Sequence, residues 1–440
     1  MTSGEIAELL QVLIRNACVN DGTPDSGHEA RSVATLRDYL GQAGREYEPH
    51  PGRTSVLYDL PATDPNEPKL LLMGHLDVVP ATAEGWRHDP FGGEQIDGFL
   101  WGRGAIDMLN LTAGMAAVFK RFLTGISRPP PGGLGFLAVA DEEAGGRWGA
   151  HYVTAHHWED VACDYLLTEI AYPPIGTPTG PAYPVNVGEK GPFWRRVRTS
   201  GTPGHASQPY GAENALVPLV RALTNLGEAR SPVVISPEWA EFVAGLELSP
   251  EDAADLTDPD RVDLAIESLS GDRPGFARYV HACTHLTVTP TVLNAGTKTN
   301  TIPDAAVAEV DVRALPGQDA RTVDEHFAKA TGPDYERLEL EPIADFPATA
   351  SVASGPLWEA ASSAIESVTG SRRVLPTLTP ATTDARFFRS RGTVAYGLGL
   401  FDQHIDFDDF LGMFHGNNER VSIESLGLTA EVLARTIAAL

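Results

Sequence analysis

Apolar and polar positions recur at two different periods along this chain, and the switches between them mark its elements. Residues 3–18 carry Ile6, Leu9, Leu10, Leu13 and Ile14 at the spacing of one helix face, and 28–43 repeat it through Val33, Leu36 and Leu40. The stretch between them, NDGTPDSG, is a loop rich in turn formers, and neither helix carries a candidate for chemistry. Val56 to Leu60 reads as a strand. Leu70 to Met73 is a short, unbroken apolar run bounded by Pro68 and Gly74, the pattern of a strand buried on both faces of a helix-covered sheet. Two further runs of this kind follow: Leu134 to Ala140, after the breaker cluster PPPGG at 129–133, and DYLLT at 164–168. Between the first two, Gly85 to Trp101 reads as loop or hairpin and Met108 to Leu123 as an apolar helix.

Each buried run ends in groups that can do chemistry. His75 and Asp77 follow the first run and, two apart in extended chain, point to the same side. A carboxylate so placed can orient a metal-bound histidine, although a core histidine satisfied by an aspartate has the same spacing. Asp141, Glu142 and Glu143 end the second run, where three adjacent acids repel one another unless cations or hydrogen bonds compensate. A solvated acidic loop is the plainer account, but two glycines and a helix follow at once. Glu169 ends the third run. Asp107 stands just before the apolar helix, near an N-terminus that favours the ionised form, and an ordinary capping aspartate would look the same. In open α/β sheets the carboxyl ends of the strands are where ligands bind.

The texture changes near Phe193. FWRRVRTSG alternates as a half-exposed strand, a Gly- and Pro-shaped loop TPGHASQPYGAEN follows, and a helix runs through Ala215, Leu219, Leu223 and Leu226. Residues 230–284 are acidic and mostly helical and read as an insertion. Strands at 285–293 and 305–313, a helix at 320–330 and a strand at 335–341 complete a β-α-β-β-α-β order, the plan of small ferredoxin-like domains. The expected organisation is a discontinuous catalytic domain, 1–191 and 346–440, with an inserted domain at 192–345. After the return come a helix at 355–368, a short helix in TDARFFRSRG, a strand at Val394 to Leu398 and a loop at 401–414. HGNNERV then places His415 beside a sheet edge, before a last amphipathic helix from Ile423 to Leu440.

Composition narrows the partners. A net charge of −26 over 440 residues argues against nucleic acid or an anionic membrane surface, while carboxylates gathered at one site can hold cations. Cys18, Cys163 and Cys283 are few and scattered, which excludes a cysteine zinc cluster and suits a reducing compartment. No signal peptide is visible, and no apolar run reaches the roughly 18 residues of a membrane helix. The expectation is a soluble cytoplasmic protein. No G-x-S-x-G elbow, P-loop or G-x-G-x-x-G occurs, which removes serine hydrolases and nucleotide enzymes. HACTH sets His281 and His285 at a helical zinc spacing, but no third ligand accompanies them.

His75, Asp107, Glu143, Glu169 and His415 form a mixed imidazole and carboxylate set that suits zinc, with cobalt or manganese as alternatives. Five ligands exceed what one open catalytic zinc uses, but a bridging carboxylate lets them serve two ions with a water between. Glu142, adjacent to a ligand and not needed as one, is then the natural general base.

LLLMGHLDVVP, GRGAIDM, ADEEAGG, the glutamate of LLTE and HGNNERV, in that order, resemble the dinuclear zinc metallopeptidase family of aminoacylases, carboxypeptidase G, acetylornithine deacetylase and succinyl-diaminopimelate desuccinylase. The stretches GTPGHAS, NTIP and DVRALPG resemble that family's lid or dimerisation domain. The resemblance implies that Asp107 bridges two zinc ions, with His75 and Glu169 completing one site and Glu143 and His415 the other. It implies that Asp77 orients His75 and that Glu142 activates the water and later protonates the leaving amine. His205 would polarise the scissile carbonyl, often across a homodimer formed through the lid, and Asn300 and Arg313 would hold the substrate carboxylate. The activity implied is hydrolysis of an amide bond in small peptides or N-acyl amino acids. Against it stands a non-catalytic binding or assembly protein keeping the fold, whose mark would be a lost ligand or base. The chain departs from the family in carrying Leu109 where a lysine is common, and in the length of 230–284.

Overall fold

The three buried runs lie side by side in the computed structural model, which describes residues 2–440. Strands Leu70–His75, Leu134–Val139 and Tyr165–Thr168 pair in parallel, with Leu70 opposite both Leu134 and Tyr165, and His75 opposite Val139. This register brings their carboxyl ends to one edge of the sheet, so the residues that follow each strand meet there.

Their side chains explain the burial. Leu70 and Leu72 face one core, with Phe119 of helix Leu109–Leu123 and Leu433 of helix Ile423–Ala438. Leu71 and Met73 face the other, with Val153 of helix Ala150–His156 and Phe388 of helix Ala385–Arg389. A strand covered on both sides has no polar face, which is why the run is unbroken. Gly74 has a specific reason: a Cβ there would stand 2.4 Å from Thr112 Oγ1, so only glycine lets the helix approach. At that contact the Thr112 hydroxyl donates to the carbonyl of His75 at 2.9 Å.

The sheet has ten strands and is mostly parallel at its centre. Arg53–Leu60 and Arg45–His50 extend it antiparallel beyond Leu134–Val139. Val394–Gly397 pairs in parallel with Tyr165–Thr168, and Gly180–Glu189 pairs in parallel with Val374–Thr379. The last two strands carry no clear sequence signal: Pro181, Pro184 and Gly188 interrupt one, and Pro376 the other.

A separate five-stranded antiparallel sheet carries the second body. Its neighbours run Thr287–Ala295, Ala305–Ala314, Arg195–Ser200, Glu339–Pro342, with Gly191–Pro192 extending the second of these. Helices Leu216–Glu228 and Ala320–Thr331 cover one face through Leu219, Leu226, Val323 and Phe327. In chain order the pairing is second, third, first, fourth, the ferredoxin-like arrangement expected from the β-α-β-β-α-β order. The strand expected at 335–341 begins only at Glu339, because Gly332–Arg337 forms a 3₁₀ turn.

The helices of 230–284 pack away from this small sheet. Trp239, Phe242, Phe276 and Tyr279 join the large core, and the Tyr279 hydroxyl donates to the Leu378 carbonyl at 2.9 Å. Their apolar faces meet strand Val374–Thr379 and helix Phe407–Met413, the latter lying where the sequence suggested only loop.

Candidate metal centre

Asp107 stands between two imidazoles. Its Oδ1 lies 3.1 Å from His75 Nε2 and its Oδ2 lies 3.3 Å from His415 Nε2. Glu169 Oε2 is 3.8 Å from His75 Nε2, and Glu143 Oε2 is 3.2 Å from His415 Nε2. The result is two ligand groups that share one carboxylate, each group using its own oxygen of Asp107.

The local chain explains each placement. His75 is the last residue of its strand, and its Nδ1 lies 2.9 Å from the backbone carbonyl of Asp77. A carbonyl only accepts, so Nδ1 carries a proton and Nε2 is the nitrogen turned towards Asp107, donating to it here and facing the place a cation would take. The Asp77 carboxylate does something further. Its two oxygens accept the backbone N–H groups of Glu142 at 3.2 Å and Glu143 at 3.1 Å, and the Asn20 amide at 2.8 Å. Asp77 thus orients His75 through its main chain and fixes the glutamate turn through its side chain. Asn20 in turn donates to Asp141 at 3.1 Å and accepts from Arg53 at 3.0 Å. The loop after the first helix, which carried no chemistry in the sequence, is the floor beneath Asp77.

Asp107 is held by a residue that sequence reasoning missed. Glu419 is fully buried and accepts the N–H groups of Gly104, Ile106 and Asp107 at 3.1, 2.7 and 3.0 Å. Arg103 pairs with Glu419 at 2.8 Å and also donates to the His415 and Gly416 carbonyls. The only signal was position, since Glu419 belongs to the same HGNNERV stretch as His415. Helix Leu109–Leu123 has Met108 as its N-cap with no side-chain cap bond, so Asp107 is not a capping aspartate.

The electrostatics fit a cation site. Burial pushes the Glu169 carboxyl well above the usual range, with the charge of Asp107 adding to it. Burial and the charge of Asp107 raise Glu143 to about 7, and burial with the charges of Glu169 and Asp384 raises Glu142 well above its ordinary value. The Asp107 carboxyl is buried too, yet hydrogen bonds from His415 and His75 hold it below the carboxylate range. The bonds to Asp107 and Glu143 raise His415 to about 10. Glu143 Oε1 is buried without a hydrogen-bond partner. Crowded carboxylates with an orphaned oxygen and two imidazoles are the donor set that divalent ions satisfy.

Glu142, Glu143, Glu169, Asp107 and His415 line a cleft of about 760 Å³. Arg313 lines it as well, with its fork engaged by both oxygens of Asp311, at 2.8 and 3.0 Å, and by the Thr382 hydroxyl. His205 and Asn300 lie together on the smaller body, where His205 pairs with Thr301 and the Ala206 N–H donates to the Asn300 carbonyl at 3.0 Å. Both are exposed and neither lines the cleft. His281 and His285 stack at 4.3 Å outside it, and His285 is engaged by Asp263 at 2.9 Å. Asp384, at the start of the short helix in TDARFFRSRG, is buried with both oxygens unpartnered.

Residues 71–439 match the model of peptidase family M20/M25/M40. Aminoacylase-1 of Mus musculus is 25% identical over 415 residues, covering 92% of this chain and 88% of that one. A succinyl-diaminopimelate desuccinylase of Methylorubrum extorquens is 34% identical over 230 residues, 50% of this chain and 56% of that one. Among solved structures, an M20 family metallo-carboxypeptidase from Sulfolobus solfataricus shares the fold with a TM-score of 0.73, at 18% identity over 99% of this chain and 98% of that one.

Proposed function

The chain belongs to peptidase family M20/M25/M40 and is a metal-dependent hydrolase, and on that premise we propose that it cleaves the amide bond of N-acyl amino acids or small peptides with two divalent ions. Zinc is the first assignment, with cobalt or manganese as alternatives. His75, Asp107 and Glu169 would hold one ion, and Asp107, Glu143 and His415 the other. When bound, such a pair supplies Lewis acidity and lowers the pKa of a shared water towards about 7.

The chain's own groups do the rest. Glu142 takes the proton of that water and returns it to the leaving amine nitrogen. Supporting this role, Glu142 lines the cleft beside His75 and Glu169, within 4.8 Å of both, yet makes no ion pair with either histidine, unlike Asp107, Glu143 and Glu169. Asp77 keeps the Glu142 backbone in place. Arg313 lies on the cleft wall, where its fork, already bonded to Asp311 and Thr382, would offer its remaining N–H groups to a substrate carboxylate, and Asn300, exposed outside the cleft of its own chain, would reach that carboxylate from a second copy. The observation that carries the reading is the two-sided Asp107, whose oxygens face different histidines.

We assign residues 1–191 and 346–440 to the metal-binding domain and 192–345 to the inserted one, with the helices of 230–284 packed on the former. A homodimer through the inserted domain would bring His205 to the partner's cleft, where it polarises the scissile carbonyl. Supporting this, edge strand Thr287–Ala295 and helix Leu216–Glu228 leave Val292, Leu293, Val217 and Val220 exposed on one body. No described helix is long and apolar enough to cross a membrane, and three unpaired cysteines favour a cytoplasmic setting.

The test is a panel of N-acyl amino acids and dipeptides offered to protein reconstituted with zinc, cobalt or manganese. Metal-dependent release of a free amine is expected, and its absence across the panel in protein proven to hold metal would sink the reading.

A further inference from the structure

A second gathering of ligand-type side chains stands apart from the cleft. Asp402 and His404 follow strand Val394–Gly397, and Glu424 lies in the first turn of the last helix, Ile423–Ala438. One imidazole nitrogen and one oxygen from each carboxylate lie within 4.8 Å of one another. Among the described residues, groups of three with this spacing occur only here and at the metal centre. None of these three residues lines the cleft.

The donors already face one another. His404 Nδ1 stands 3.0 Å from Asp402 Oδ1, close to the 3.1 to 3.3 Å that the imidazoles of the metal centre keep from Asp107 and Glu143. Asp402 is held from behind: its other oxygen accepts the Ser422 hydroxyl, and its N–H donates to Ser425 Oγ at 3.0 Å. Such support fixes a carboxylate in the pose a ligand needs. Asp402 is buried, while His404 and Glu424 open to solvent, which gives an ion its way in. Among the described residues, neither Asp402 nor Glu424 pairs with a lysine or arginine, and His404 is the one basic group beside Asp402. Two carboxylates that meet without such a partner repel each other until a cation enters.

We propose that Asp402, His404 and Glu424 hold a third divalent ion of the zinc class, completed by water, and that this ion fastens the loop that carries His415. One nitrogen and two oxygen donors suit zinc, whereas calcium and magnesium take all-oxygen sites. Asp402 and Glu424 bracket helix Phe407–Met413, the cleft residues Leu411, Phe414 and His415, and Glu419. An ion shared by the two ends closes that loop and restricts its opening. With two of its three ligands exposed, the ion exchanges readily. It is present at equilibrium with free zinc and lost on desalting, which leaves the co-catalytic pair.

The experiment counts zinc per chain by elemental analysis after dialysis against micromolar free zinc. His404→Ala/Glu424→Gln is expected to hold one ion fewer than the wild type. Both positions are exposed, and Asp402 keeps its bonds to Ser422 and Ser425, so the fold is spared. Failure of the two-ion reading of the metal centre would change both totals but not their difference. An equal count in the two proteins would overturn the proposal, as would displacement of the third ion by excess calcium. Fastening is read by hydrogen exchange of the amides of 403–419 in both proteins at the same free zinc. With zinc at about ten times the dissociation constant of the third site, exchange through opening of the loop should be about tenfold slower in the wild type. Equal exchange in the two proteins would overturn the fastening role.

Discussion

The carboxylate of Glu419 accepts the backbone N–H of Asp107 at 3.0 Å, and so ties the residue whose oxygens face His75 and His415 to the loop that carries His415. Four donors from Arg103, Gly104, Ile106 and Asp107 converge on this one buried side chain. Glutamine in its place accepts through one oxygen only, leaving part of that set unsatisfied. Glu419→Gln is therefore expected to weaken metal binding by about 10–100-fold, the usual effect of losing a group that orients ligands. It should also destabilise the metal-free protein by about 3–5 kcal/mol, the range for breaking a buried ion pair. Competition with a chelator and denaturant unfolding in chelator check the two effects. Unchanged metal affinity would mean that the loop holds Asp107 without Glu419.

The adjacent glutamates separate by what each faces. Glu143 reaches His415 at 3.2 Å, whereas Glu142 stands beside His75 and Glu169 without an ion pair to either histidine. Glu142→Gln is expected to keep two ions per chain, as co-catalytic sites do, while turnover falls by about 10²–10⁴. Glu143→Gln should lose metal from one site. Elemental analysis of the reconstituted variants decides, and the reverse pattern would exchange the two roles.

His205 is exposed, and its Nδ1 contacts Ser207 at 2.8 Å rather than any group of the cleft. If it completes the cleft of a second copy, His205→Ala is nearly inactive with both ions bound. A carbonyl donor of this kind contributes about 2.7–4 kcal/mol. Mixing His205→Ala with Glu142→Gln under conditions that exchange subunits should then restore part of the activity, because one hybrid site has both native residues. No recovery despite proven exchange would rule out action across subunits.

The thiols are expected to be inert. Burial raises Cys18 to about 11, and Cys163 and Cys283 to about 12. A raised thiol pKa depletes the thiolate at any pH below it, leaving about one part in a thousand or less at pH 8. Native protein should resist alkylation at that pH and expose all three thiols once unfolded. Rapid labelling of the native protein would show that one of these sites opens to solvent.

What the sequence determined by itself was the set of parts. A strand buried on both faces must be apolar throughout, so Leu70 to Met73, Leu134 to Ala140 and DYLLT at 164–168 stood out, and with them the acids and histidine at their ends. The order of motifs, from His75 to His415, carried the family. The tertiary structure decided what those parts share. Asp107 turns one oxygen to each histidine while its backbone N–H is held by Glu419, over 300 positions away along the chain, and nothing in local spacing records such contacts. The Asp77 side chain holds the glutamate turn while its carbonyl orients His75, a division of labour set by packing rather than by residue type. The helices of 230–284 show the same limit. Their amphipathic pattern required an apolar partner without saying which, and they bury Trp239 and Phe242 in the large core instead of on the sheet beside them in sequence. His205 and Asn300 lie outside the cleft, on the exposed surface of the smaller body, and the sequence around them does not record their distance from it.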